Sequence, residues 1–360
     1  MELYIFSQGS RELSGIIEAY EYLRWTRRFS KCGSFELKAM ATADNISLLK
    51  IGNILWKNDD EEAGLIEFME ITGSDREFIE ISGRFATSFL ARRIVWGTEI
   101  LTGDLGAALE RLIDKNLINP VSVNPSDPAD DSRKIEGITY APSQPALGVN
   151  VNTQTSYRNL MSAVTGYCDA ADVGIKTTFN PKTGLFTIVP YLGNESQAVF
   201  SKEYENIIEQ VFTQSVVDYA SFALVAGEGE GSARTIVSVG GGSGEARYEV
   251  YVDARDLREE DFPSNYEDAL AFRGLTRLAE SAMVEAFDVT VNQYGNLTYK
   301  VDFDIGSRVQ VVSKNWGISM NTRITEIEES YDREGMSLSA TFGKSLLTIN
   351  EKFRNMYENQ

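Results

Sequence analysis

One stretch of this chain occurs twice, about 255 residues apart. Ile51-Gly52-Asn53-Ile54-Leu55-Trp56-Lys57 opens the first copy, and Ile305-Gly306-Ser307-Arg308-Val309-Gln310-Val311 opens the second. Glu70-Ile71 then answers Glu326-Ile327, and Ile81 with Phe85 answers Leu338 with Phe342. The offset drifts from 254 through 256 to 257, which two small turn insertions absorb. Each copy reads as three alternating strands with tight turns, the pattern of a small antiparallel β-barrel. The repeat therefore predicts a mainly β fold with internal pseudo-symmetry. Three such chains supply six equivalent units, and closed rotational symmetry is how homo-oligomers usually assemble.

Composition removes several functions. The chain has no histidine, which takes away Ser-His-Asp and Cys-His nucleophiles, His-ligated metals and the commonest general base. Cys32 and Cys168 are too few for a disulfide framework and read as small buried hydrophobes. A net charge of −19 opposes sequence-specific nucleic-acid binding, which needs Lys and Arg against phosphate. The longest apolar runs are too short to span a bilayer, and the first residues lack a basic region and a cleavage site. No catalytic residue, cofactor site or metal site stands out. Gly227-Glu228-Gly229-Glu230-Gly231-Ser232 lacks the Lys of a phosphate loop and reads as a hairpin. Asp302-Phe303-Asp304 lacks the distal glutamate of a calcium loop, and Asp127, Asp130 and Asp131 read as a solvated loop.

Along the chain, residues 1–97 alternate as strands, with Asp44 placed to cap one helical turn, and form the first expected barrel. Residues 98–210 read as a peripheral α+β module. It has a helix capped by Asp104, a second capped by Ser156, and a hairpin over Gly174–Phe179 and Leu185–Tyr191. Residues 211–345 return to strands as the second barrel, with a helix expected over Tyr266–Phe287. Residues 346–360 carry an amphipathic pattern that predicts a terminal helix.

Two segments suggest contact surfaces. Trp25, Arg27 and Arg28 fall in one, and Arg92, Arg93 and Trp96 in the other. Arg and Trp are frequent interface anchors, but Arg stems lying along an aromatic strand give the same pattern. Trp25-Thr26-Arg27-Arg28-Phe29, Cys32-Gly33-Ser34-Phe35-Glu36-Leu37, Ser82-Gly83-Arg84-Phe85 and Leu90-Ala91-Arg92-Arg93-Ile94-Val95-Trp96-Gly97 come in the first barrel. Val225-Ala226-Gly227-Glu228-Gly229-Glu230-Gly231 and Tyr251-Val252-Asp253-Ala254-Arg255-Asp256-Leu257 follow in the second. Together, in this order, they resemble the tail-hub family of siphophages and prophages. That family is related to the N-terminal part of tail-associated lysins and similar in architecture to contractile-tail baseplate hubs and VgrG hub domains.

The resemblance implies a non-enzymatic homotrimer, two barrels per chain, forming a pseudo-sixfold ring at the tail tip or baseplate of a virion or tail-like particle. A tail tube or distal tail protein would sit above it and a tip, spike or fibre protein below. It implies no cofactor and assembly in the bacterial host cytoplasm. The sequence continues into no peptidase or lysozyme-like region, so no wall-degrading activity is expected. The rival reading from another class is a carboxylate-based glycan hydrolase or glycan-binding β-sandwich, which predicts a monomer with a cleft.

Overall fold

The computed structural model describes residues 1–73, 76–121 and 131–344; the expected terminal helix and the loop carrying Asp127 and Asp130 lie outside them. The chain begins with β1 (Leu3–Phe6), β2 (Leu13–Ile17), β3 (Tyr22–Arg28), β4 (Ser34–Met40), α1 (Ala43–Leu48), β5 (Ile54–Lys57), β6 (Ala63–Gly73) and β7 (Glu77–Phe85). Period-two alternation makes β4 a half-buried strand: Phe35, Leu37 and Ala39 point inward, Glu36 and Met40 outward. Trp25, Phe35 and Phe85 share a core with Leu3, Ile5 and Ile66, and burying each such side chain contributes about 1.5–3 kcal/mol. Thr42 caps α1, accepting the Asn45 N–H, while the expected cap Asp44 sits in the first turn.

Next come β8 (Thr98–Asp104), α2 (Leu105–Ile113), β9 (Ile138–Tyr140), β10 (Asn150–Ser156), α3 (Leu160–Ala170), β11 (Gly174–Asn180) and β12 (Leu185–Tyr191). Asp104 caps α2 by accepting the Ala107 N–H. Ser156 does not cap α3, because it ends β10 opposite Thr98; Asn159 caps instead, accepting from Met161 and Ser162. The β11–β12 hairpin forms as expected, and β9 adds to it in parallel. Leu109, Leu112, Phe179 and Phe186 of this module share a core with Phe6, Ile54 and Leu65 of the first strands.

The remaining elements are β13 (Glu195–Ser201), β14 (Ile207–Ser215), β15 (Phe222–Ala226), β16 (Ile236–Gly240), β17 (Glu249–Asp253), α4 (Tyr266–Glu280), β18 (Val284–Val291), β19 (Arg308–Ser313), β20 (Ile318–Asp332) and β21 (Gly335–Lys344). β15 lies between β16 and β17 and packs on α4 through Ala223, Val225, Phe262 and Leu270. The helix expected to reach Phe287 ends at Glu280. Beyond it Phe287, Val289 and Val291 are buried at every second residue, which is strand periodicity.

The fold is mainly β, and the repeat is present in its wiring. The first unit runs β3-β4-β7-β6-β5-β1 in hydrogen-bonding order, and the second runs β14-β18-β21-β20-β19-β13. They depart at the last step, where β1 is antiparallel to β5 but β13 is parallel to β19. The two units are joined directly. β3 pairs with β20, so both belong to one 13-stranded sheet, and among the described residues its hydrogen-bonded path is open, from β14 to β2.

Backbone contacts fix the residue equivalence. Gly52 N–H donates to Ile66 C=O at 2.8 Å and Gly306 N–H to Ile324 C=O at 2.9 Å; Ile66 N–H returns to Asn53 and Ile324 N–H to Ser307. A bulge follows at once in both middle strands, after Ile66 and after Ile324. Gly52 and Gly306 hold φ of +89° and +83°, at the third position of turns closed from Asn53 to Lys50 and from Ser307 to Asp304. Such turns demand a positive φ there, hence glycine. The opening of the repeat is therefore in register. The middle and third strands are each displaced by two residues from the sequence match: Glu70 answers Glu328, and Gly83 answers Phe342.

Candidate functional site

The two units meet where β3 lies antiparallel to β20, with Arg28 opposite Glu326, Thr26 opposite Glu328 and Trp25 opposite Glu329. Trp25 is fully buried, its ring against Phe85 and its indole N–H donating to Asp60 at 2.9 Å. Arg27 is buried too. It reaches Asp304 at 2.7 Å and the Tyr299 hydroxyl at 3.2 Å, with Asp60 at 3.6 Å and Glu62 at 3.9 Å. Burial opposes its charge, but Asp60, Tyr299, Asp304 and Glu62 outweigh burial and hold it well above its ordinary pKa. Arg28 pairs with Glu326 and donates to Cys32 C=O and Ser34 Oγ. The carboxylates that these two arginines engage thus belong to the same chain.

Beside them lies a network that periodicity hid. Lys57 is fully buried and donates to Glu329 at 2.7 Å and Asp59 at 2.6 Å. Glu329 also accepts from the Tyr299 and Tyr331 hydroxyls at 2.9 and 2.6 Å. Burial acts against the Lys57 charge, yet Glu329 and Asp59 more than compensate and raise its pKa. For Glu62, burial and then the neighbouring Asp60 push the carboxyl up to about 8, with Arg27 opposing. Glu62 is therefore largely protonated at neutral pH, and the Arg27 charge is balanced by Asp60 and Asp304. Lys57 sits two residues after buried Leu55, and Glu329 two after buried Ile327. Opposite charges at inward strand positions were the available signal for this buried pair.

Arg92, Arg93 and Trp96 fall in a second place, on the segment after β7. Arg92 lies over the Phe89 ring at 5.0 Å, and Arg93 donates to the carbonyls of Arg92 and Arg133. The Arg133 guanidinium covers the Trp96 ring at 4.0 Å. Arg92 and Arg93 line a cleft of about 330 Å³ together with Arg11, Lys134 and Phe89. Arg11 donates to the carbonyls of Glu136, Gly137 and Gly184. Among the described residues, the one carboxylate on this cleft is Glu136, 82% exposed and paired with Lys134 at 3.1 Å. Glycoside hydrolysis requires two carboxylates in opposed environments across a cleft, and the described lining residues include one. Among the described residues no cluster of His, Cys, Asp and Glu is arranged to hold a metal ion, and no helix is long and apolar enough to cross a membrane.

The fold is similar to those of solved proteins. The 43 kDa tail protein of prophage MuSo2 from Shewanella oneidensis superposes with a TM-score of 0.61 at 14% identity, over 95% of this chain and 98% of that one. A tail protein from Neisseria meningitidis MC58 gives 0.58 at 13%, over 95% and 96%. Prophage tail protein gp18 from Listeria monocytogenes EGD-e gives 0.57 at 10%, over 99% of both chains. At such identities the likeness establishes the fold. No curated protein matches the sequence. A family model, Siphovirus ReqiPepy6 Gp37-like protein, matches residues 2–344. The chain belongs to that family of siphovirus tail proteins.

Proposed function

We propose that this protein is a non-enzymatic structural hub of a phage tail or tail-like particle, three copies of which close a pseudo-sixfold ring at the tail tip or baseplate. The observation that carries the reading is the pair of units with one strand order, joined edge to edge within a single chain. A chain with two equivalent units presents six of them as a trimer, which matches a sixfold tube above and a threefold tip, spike or fibre below. Trp25, Arg27 and Arg28 serve the joint between the units, while Arg92, Arg93 and Trp96 lie on the segment that faces the basic cleft and are the candidates for contact with a neighbouring tail protein. Immunogold labelling of purified particles with antibody against the chain tests the assignment. Label confined to one end of the tail is expected; label along the tube, or none on intact and tip-stripped particles, contradicts it.

A further inference from the structure

The joint inside the chain has an unfilled counterpart at two exposed strand edges. Through the matched contacts of Ile66 and Ile324, residues 68–73 of β6 correspond to residues 326–331 of β20. Following the ladders β7–β4–β3 and β21–β18–β14 outward, Phe35 corresponds to Phe287, and Trp25 to Phe212. The aromatic contacts agree: Trp25 and Phe35 have ring centroids 6.0 Å apart, Phe212 and Phe287 5.5 Å.

In β20 this stretch carries β21 on one side and β3 on the other. In β6 it carries β7 on one side. On the other, β5 pairs only as far as Leu65, and no further strand follows among the described residues. β3 is likewise paired on both sides, whereas among the described residues β14 has β18 alone and ends the sheet. Both open edges expose large apolar side chains between polar ones. Every residue from Phe68 to Gly73 is exposed, with Phe68 at 52% and Ile71 at 46%, and Val211 on β14 stands at 58%. A long unpaired edge with exposed apolar side chains is a template for another strand, and proteins that remain single normally cover it, shorten it or line it densely with charge or proline.

We infer that β14 of one copy pairs antiparallel with β6 of the next copy, continuing the sheet across the subunit boundary in the register of the in-chain joint. This rests on the ring proposed above and names the strands that close it. Transferring the β20–β3 register sets Thr213 opposite Glu70, Phe212 opposite Ile71 and Val211 opposite Thr72. The first pair reproduces a contact already made inside the chain, where the Thr26 hydroxyl donates to Glu328 at 3.2 Å. The second places an aromatic against an aliphatic side chain, a favourable cross-strand pair worth about 0.2–1 kcal/mol beyond the ladder itself. The contact joins unlike edges, so it propagates head to tail and ends when the rotation per copy completes a circle.

Disulfide trapping reads the register. In an antiparallel ladder directly opposed residues have Cβ atoms about 4.5–5.5 Å apart, while a two-residue slip puts them at roughly 7–8 Å, beyond easy bridging. Oxidised E70C/T213C should give covalent dimers and trimers on non-reducing gels, at least fivefold more than E70C/V211C. Each single variant controls for Cys32 and Cys168. Trimers by light scattering with no cross-link, or with a stronger one in the shifted variant, overturn the pairing and leave the ring standing. Monomers with no cross-link overturn both. A cross-linked product of monomer mass overturns the inference by assigning the edges to the chain's own segments.

Discussion

The joint between the two units depends on buried charge, which is unusual for a strand interface and sets its response to pH. Burial and Asp60 raise Glu62 to about 8, against an unfolded value near 4.5. A carboxyl raised in this way binds more protons folded than unfolded. Its contribution to stability is complete below the unfolded value and is lost as pH rises through the folded one. Between pH 5 and 9 the protein should therefore lose stability relative to Glu62→Gln, which copies the protonated form at every pH. The gap should open to on the order of 4 kcal/mol. Denaturant melts of the two proteins at pH 5, 7 and 9 measure it; parallel stability curves would show that Glu62 ionises normally in the fold. None of this followed from Trp25-Thr26-Arg27-Arg28 in the sequence. The arginines stood out by type, but only the strand pairing revealed that Asp60, Asp304 and Glu326 of the same chain meet them.

At the scale of elements, what the chain showed in advance were the local patterns. The alternation in β4, the Asp104 cap of α2 and the β11–β12 hairpin depend on neighbours a few residues away. The Ile51-Gly52 and Ile305-Gly306 match held because a glycine is required in each turn. The displacement of two residues further on went unseen because strand periodicity is two, so an even slip leaves every side chain on its face. The end of α4 was misplaced because apolar residues spaced for a helix run directly into residues spaced for a strand. The parallel pairing of β15 with β17 comes from backbone geometry that composition does not encode.

The two turns differ in their neighbours, which separates backbone strain from packing. An added Cβ at Gly52 meets the amide of Gln8, an exposed side chain that can swing away, whereas at Gly306 it falls 2.7 Å from the buried ring of Phe29. Gly52→Ala should cost about 1–2 kcal/mol, the strain of a positive φ alone, and Gly306→Ala about 1–2 kcal/mol more. Equal losses in chemical denaturation would mean that Phe29 yields freely.

For the whole molecule, the pseudo-repeat is the feature from which assembly follows. Among the described residues, a duplicated unit that pairs with its sibling through β3 and β20 leaves the same two kinds of edge open at β6 and β14. That the two units share one sheet is not legible in the sequence, since a pairing between residues roughly 300 positions apart leaves no local trace. Nor did the sequence single out β14 as an edge, because its neighbour β18 lies roughly 70 residues further along the chain. The central claim is that these edges close on copies of the chain rather than remain open. Light scattering coupled to size exclusion, across a concentration series, tests it most directly. The account predicts a plateau at three times the 40.0 kDa chain mass. A single species at the chain mass throughout the series contradicts it.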